Sequence, residues 1–300
     1  MTKTVACLAG DGVGPELMAA ATRALDRVAA LHHFELDDRH LPFAGEAVTR
    51  SGHPLAPETR AGFRDVDAIL VASPDEPAFA GVKADLHLAW RAARVHVDPT
   101  HDLVVVGPVD EWANATALGR AFSCAASRRG RITVVGTSPA WCGALEAERA
   151  RWDGLAVEEA TLGASLVRLA EDATSLDVVV TEAHVFEAVV DAAASFAGSH
   201  AAVAHAWLPD EGPGVFAPGR TASDDVAGFG VVDPTGMLLA TSLMLAEGLE
   251  RRSASRPLER AVGVAADRNG HSDTRAFTDA VIELLPQSRT DVELFDGAWR

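Results

Sequence analysis

The stretch CLAGDGVGPE, Cys7 to Glu16, sets three glycines directly behind a short apolar run and ahead of an amphipathic one. That order predicts a β-strand turning tightly into an α-helix, with Pro15 at a first helical position, where its missing N–H costs nothing. Two readings of the turn stay open at this level. Either the glycines let backbone N–H groups cradle a phosphate at the helix N-terminus, or they simply permit the turn. As a dinucleotide fingerprint the spacing is imperfect, because the third glycine arrives one residue earlier than G-x-G-x-x-G requires.

Outward from this turn, apolar strand-like runs alternate with helical patterns. The runs are TVACLA (4–9), DAILVAS (67–73), DLVVVGPV (102–109), RITVVG (131–136) and LDVVVT (176–181). Helical spacing is found near 15–31 and 114–128, in VFEAVVDAAASFAG (185–198) and in GMLLATSLMLAEGLERR (236–252), with a Gly/Pro-rich stretch from Pro209 to Gly219 between the last two. Such alternation predicts an α/β protein whose strands are mostly buried on both faces. No internal repeat interrupts it.

At 300 residues the chain is long enough for one large domain or two ordinary ones. Its formal charge of −17, with 26 Lys+Arg, argues against a nucleic-acid partner, because phosphate binding needs clustered cations. Cys7, Cys124 and Cys142 are odd in number and lack C-x-x-C spacing, so they are expected as reduced thiols in a cytoplasmic protein. The N-terminal run reaches Asp11 too soon for a signal core, and no apolar stretch approaches the roughly 20 residues of a membrane span. Lysine occurs only at Lys3 and Lys83, and tyrosine is absent, which removes two common proton-handling side chains almost entirely.

The segments GDGVGPE (10–16), LPFAGEAV (41–48), HPLAPETRAGFRDVDAILVAS (53–73), DVVVTEAHVFEAVVDAAASFAGS (177–199), DDVAGFGVVDPTGMLLATSLML (224–245) and DTRAFTDAV (273–281) follow one another in order along nearly the whole chain. Together they resemble the isocitrate/isopropylmalate dehydrogenase family, most of all its isopropylmalate branch, of which this chain looks like a divergent and shortened member. The resemblance implies a two-domain α/β fold with a central mixed sheet and an interdomain cleft. Residues 1–98 and 234–300 are expected to form one domain and 99–233 the other, a dimerisation domain of a homodimer. In that family the opening glycine turn does not hold the cofactor phosphates; NAD is held mainly by the loop equivalent to 217–233. The turn here is therefore expected to be structural.

The family oxidises a 2-hydroxy acid and removes its β-carboxylate with the help of a divalent metal. By resemblance, Glu187 and Asp191 in EAVVD match two carboxylates of that metal site, for Mg²⁺ or Mn²⁺, and their spacing of four places them on one helix face. The third carboxylate, supplied by the partner subunit, falls at Gly163. The family lysine falls at Thr137, and the segment carrying its tyrosine is lost between Val109 and Thr116. Losing both acid/base groups removes a contribution of about two to four orders of magnitude each. For substrate binding, Lys83 stands for a first arginine and Ala93 for a second, flanked by Arg91 and Arg94, while a third becomes Gly107. A lysine does not reproduce a bidentate guanidinium clamp. In the cofactor loop Asp225 matches the residue that holds the adenosine ribose, Arg220 replaces a histidine, and Asp233 replaces an asparagine. Asp225 favours NAD, and Arg220 adds a cation able to accept a phosphate.

His184 is the newcomer beside the carboxylates, since one imidazole and two carboxylates can form a metal triad. Three functions follow from these substitutions: an oxidoreductase-family enzyme of altered substrate or step acting on a small-molecule acid, a catalytically silent paralogue serving as a binding or regulatory subunit, and a non-redox lyase, isomerase or decarboxylase using the same cleft.

Overall fold

The computed structural model describes residues 2–74, 77–98, 101–219, 224–269 and 273–286. Two compact units divide the chain, Met1–His87 with Glu211–Arg300, and Leu88–Asp210. The boundaries expected from the sequence lay at 98/99 and 233/234, whereas contacts divide the chain at 87/88 and 210/211.

In the first unit the chain runs β1 (Thr2–Leu8), α1 (Gly14–Leu31), β2 (Glu35–His40), α2 (Gly45–Ser51), α3 (Pro57–Gly62), β3 (Ala68–Val71) and α4 (Ala78–Asp85). The second unit contributes β4 (Trp90–Asp98), β5 (His101–Pro108), α5 (Asn114–Ala126), β6 (Arg131–Val135), α6 (Pro139–Arg151), β7 (Ala156–Glu159), α7 (Leu162–Asp172), β8 (Val178–Thr181), α8 (Phe186–Phe196) and β9 (Val203–Leu208). The chain then re-enters the first unit with β10 (Gly214–Pro218), α9 (Thr235–Leu243), α10 (Arg252–Asn269) and α11 (Thr274–Leu284).

Strands of the first unit are all parallel, in the order β2, β1, β3, β10. Val5 to Leu8 and Ala68 to Val71 are fully enclosed, which is why both runs are apolar without alternation. Helix α1 buries Leu17, Met18, Ala21, Ala24, Leu25 and Val28, a stripe at helical period. The Gly/Pro-rich stretch contains a strand that its composition hides: Val215, Phe216 and Ala217 of β10 are buried, and β10 pairs with β3.

In the second unit the order is β9, β4, β5, β8, β6, β7, with β4 antiparallel to both β9 and β5 and the other pairs parallel. Successive residues of β5 feed two cores. Val104 and Val106 pack with α5, Ile132, Val178 and Trp141, while Leu103 and Val105 pack with α8, Val179 and Leu169. The three cysteines form no disulfide, and burial together with Asp38 pushes the Cys7 thiol up to about 12. Among the described residues no helix is long and apolar enough to cross a membrane.

Candidate functional site

The opening turn spends its carboxylates on protein backbone. Gly10 and Gly12 lie in the left-handed region, at φ +75° and +58°, and a Cβ on Gly14 would stand 1.9 Å from the carbonyl oxygen of Ala9. Asp11 accepts the backbone N–H of Gly45 with both oxygens, at 3.0 and 2.9 Å. Glu16 accepts the N–H of Gly228, which lies in the segment expected to hold the cofactor. Within that segment Asp225 is exposed. Asp233 takes the N–H of Thr235 at 2.9 Å and its hydroxyl at 2.5 Å, just ahead of α9. Arg220 lies outside the described residues. Lys83, on α4, is half-buried with its ammonium 5.0 Å from the centre of the Phe79 ring.

A denser constellation occupies one face of the second unit. Arg91 of β4 faces Trp207 of β9, and Ala93 faces His205, in antiparallel register. Helix α8 lies over this face through Phe186, Val189 and Val190. The Arg91 side chain is only 15% exposed, and its guanidinium sits 4.1 Å from the centre of the Phe186 ring. Nη1 donates to Glu187 Oε1 at 2.7 Å and Nη2 to the carbonyl of Ala183 at 2.8 Å. Burial lowers the pKa of Arg91, against the opposing pull of Glu187 and Asp110. One guanidinium thus clamps both the β8–α8 connection and the first turn of α8.

Arg94 does not share this site. Three residues along a strand reverses the side-chain direction, and Arg94 pairs with Asp102 at 3.3 Å. Asp102 also binds Arg128 at 2.8 Å, and Arg128 in turn binds the fully buried Asp177 at 2.8 Å. This is a half-buried structural ion-pair network around the buried Asp177; desolvation would raise the Asp102 carboxyl, but Arg94 and then Arg128 outweigh it and hold it far below the usual range.

At the end of β8, Glu182 reaches the start of α6 and accepts the backbone N–H groups of Thr137 at 3.2 Å and Ser138 at 3.1 Å. Burial alone would raise this carboxyl, but those hydrogen bonds and the nearby His184 outweigh it and keep it low. Thr137, expected from the sequence at the register of the family lysine, offers Glu182 a backbone N–H; its hydroxyl is no substitute for an ammonium. His184 is exposed on the turn preceding α8.

Among the described residues, His205 on β9 has a strongly perturbed imidazole. Its ring stacks on Trp207 at 5.2 Å and lies 6.2 Å from Phe186. Burial, aided by Arg91 and opposed by Asp191, depresses it to about 4, and Nδ1 is enclosed without a hydrogen-bond partner. The signal for it was alternation in VAHAWL, which sends His205 and Trp207 to one face.

Glu187 and Asp191 do stand one turn apart on α8. Glu187 is paired with Arg91 at 2.7 Å, and among the described residues of this chain no three His, Cys, Asp or Glu groups converge as a metal site. His184 accordingly forms no triad with the two carboxylates. What this face can do is hold a carboxylate: a guanidinium backed by an aromatic ring and bridged to an exchangeable acid.

Comparison with known proteins agrees with this frame. The chain is 28% identical over 350 residues to the 3-isopropylmalate dehydrogenase of Bacillus thuringiensis subsp. konkukian, covering 96% of this chain and 98% of that protein. It is 26% identical over 345 residues to the 3-isopropylmalate dehydrogenase of Streptococcus thermophilus, covering 95% and 100%. Among solved structures, the apo beta-decarboxylating dehydrogenase of Thermococcus kodakarensis superposes with a TM-score of 0.82 at 20% identity, covering 99% of each chain. The isocitrate dehydrogenase of Methylococcus capsulatus gives 0.79 at 18% identity, covering 94% of this chain and 99% of that one. The isocitrate/isopropylmalate dehydrogenase pattern matches residues 4–92 and 113–280, more than half of the sequence, and the chain belongs to that family.

Proposed function

We propose that this protein is an oxidoreductase-family enzyme of altered substrate or step, impaired in the metal-assisted oxidative decarboxylation of its relatives. The observation that carries the reading is the Arg91–Glu187 ion pair, which joins a side chain expected to bind substrate to one expected to bind metal. Arg91 recognises the carboxylate of a small-molecule acid by exchange with Glu187. Asp225, exposed in its turn, accepts hydroxyls of the NAD ribose. Neither Glu182, saturated by N–H groups, nor His205, buried and neutral, supplies a general acid at neutral pH. The protein acts as a cytoplasmic homodimer; Val167 on α7 and Phe196 on α8, 55% and 50% exposed, support association through these helices.

A thermal-shift series with NAD, NADP, Mg²⁺, Mn²⁺ and 2-hydroxy acids tests this, since a ligand that prefers the native state raises the melting point. The expected result is a rise with NAD and acid, little response to metal, and turnover of isopropylmalate or isocitrate far below that of the family. Full family turnover dependent on Mg²⁺ would overturn it.

A second reading, a catalytically silent paralogue serving as a binding or regulatory subunit, is favoured by Thr137 at the lysine register in a chain without tyrosine. It predicts acid or partner binding with no nicotinamide response. Turnover abolished by Glu187→Ala would contradict it, and turnover without any nicotinamide would point instead to a lyase, isomerase or decarboxylase.

A further inference from the structure

The opposite end of the second unit carries a separate cavity of about 160 Å³, lined by Arg131, Thr133, Glu158, Arg168, Ser175 and Asp177 among others. Arg131 opens β6, Ala156 opens β7, and Asp177 immediately precedes β8. The cavity therefore sits at the amino ends of three parallel strands, whereas Thr137 and Glu182 follow their carboxyl ends.

Its charges do not cancel. Asp177 is fully buried and receives Arg128 Nε at 2.8 Å, Arg129 Nε at 3.1 Å and the Arg129 backbone N–H at 3.0 Å. Glu158 is bound by Arg168 at 2.5 Å. Both carboxylates of the lining are thus matched by guanidinium groups. Arg131, in contrast, has no carboxylate partner among the described residues. Thr133, across from Glu158 in the parallel register and only 5% exposed, brings a hydroxyl to the same lining. An unmatched guanidinium beside an enclosed hydroxyl, in a corner holding four arginines of a chain whose formal charge is −17, is a local inversion of the molecule's field.

We propose that this cavity binds a small tetrahedral oxyanion, phosphate or the phosphoryl group of a small ester, through Arg131 and the Thr133 hydroxyl. Guanidinium groups and hydroxyls are the donors such an anion takes. The site is independent of any reaction at the Arg91 face.

The test is calorimetric titration of the full chain with inorganic phosphate and with methyl phosphate at constant ionic strength, with chloride as control, for the native protein, Arg131→Ala and Thr133→Val. Saturable binding is expected, weakened about ten-fold by Arg131→Ala, while the melting point of that variant without anion stays unchanged because Arg131 is exposed and unpaired. Tighter binding of inorganic phosphate assigns the free ion, and tighter binding of methyl phosphate assigns an ester. No saturable binding above chloride, or binding that Arg131→Ala and Thr133→Val both leave intact, overturns the site.

Discussion

Gly107 on β5 and Phe186 at the start of α8 fill a single space: a Cβ built on Gly107 would lie 2.7 Å from Cδ2 of the Phe186 ring and 3.3 Å from the carbonyl and hydroxyl oxygens of Thr181. Where the family resemblance expects an arginine, this chain has put an aromatic ring from the neighbouring helix, and Arg91 now rests on that ring. Substitution Gly107→Ala should cost about 1–3 kcal/mol by overpacking. Phe186→Ala should cost about 3–5 kcal/mol. The double variant should be less destabilised than the sum, because the truncated ring vacates the space the methyl needs. Urea denaturation of the three variants measures the coupling, and strict additivity would show that the two residues do not compete.

Freeing the guanidinium tests the exchange at Arg91. Glu187 is 58% exposed, so its pair with Arg91 is a modest restraint of at most about 1 kcal/mol. Glu187→Gln should leave stability nearly unchanged and tighten the binding of a small carboxylate by up to about five-fold. Arg91→Lys should weaken it, since an ammonium offers no paired donors. Titration calorimetry with a 2-hydroxy acid reads both effects.

Acid should weaken the second unit through His205. Unfolded, this imidazole takes its proton near 6.5, and folded only near 4, so between those values the unfolded chain binds more protons. Stability is therefore full above about pH 6.5 and falls as the pH drops towards 4, by about 3 kcal/mol over the window. The charged groups that act on it, Arg91 and Asp191, oppose each other, with burial the larger influence. His205→Leu should flatten that part of the profile, seen as a smaller difference between urea midpoints at pH 7 and pH 4.5.

Arg128→Ala should be among the most damaging single changes. It strips a partner from Asp177, whose side chain is fully buried, and from Asp102. Leaving such a charge uncompensated costs about 3–5 kcal/mol, and a drop of that size in denaturant stability is the expected result. A loss below 1 kcal/mol would mean that Arg129 alone satisfies Asp177.

Enclosed strands and amphipathic helices were readable because burial writes itself into composition: LDVVVT and DLVVVGPV are apolar since both faces are covered. The edge strands β2, ELDDRH, and β7, AVEE, escaped because their polar residues meet solvent. In β4, WRAARVHVD mixes arginine and histidine into a central strand, and without recognising that strand the opposite directions of Arg91 and Arg94 stay hidden. Glu187 and Asp191 were correctly placed on one helix, but no local pattern announces that an arginine 96 positions earlier will neutralise one of them. Pairing of that kind is decided by sheet register and helix docking, not by neighbours in the chain.

The bond from Glu16 to the backbone of Gly228 spans 212 positions, and the first unit is assembled from the two ends of the polypeptide. A ribosome exposes the chain from its N-terminus, so β1 and α1 emerge long before the residues that complete their surroundings. Residues 88–210 form one uninterrupted segment and can close on themselves as soon as they are released. Completion of the first unit therefore waits for β10, the partner of β3, whereas residues 88–210 need no distant segment to form a compact unit.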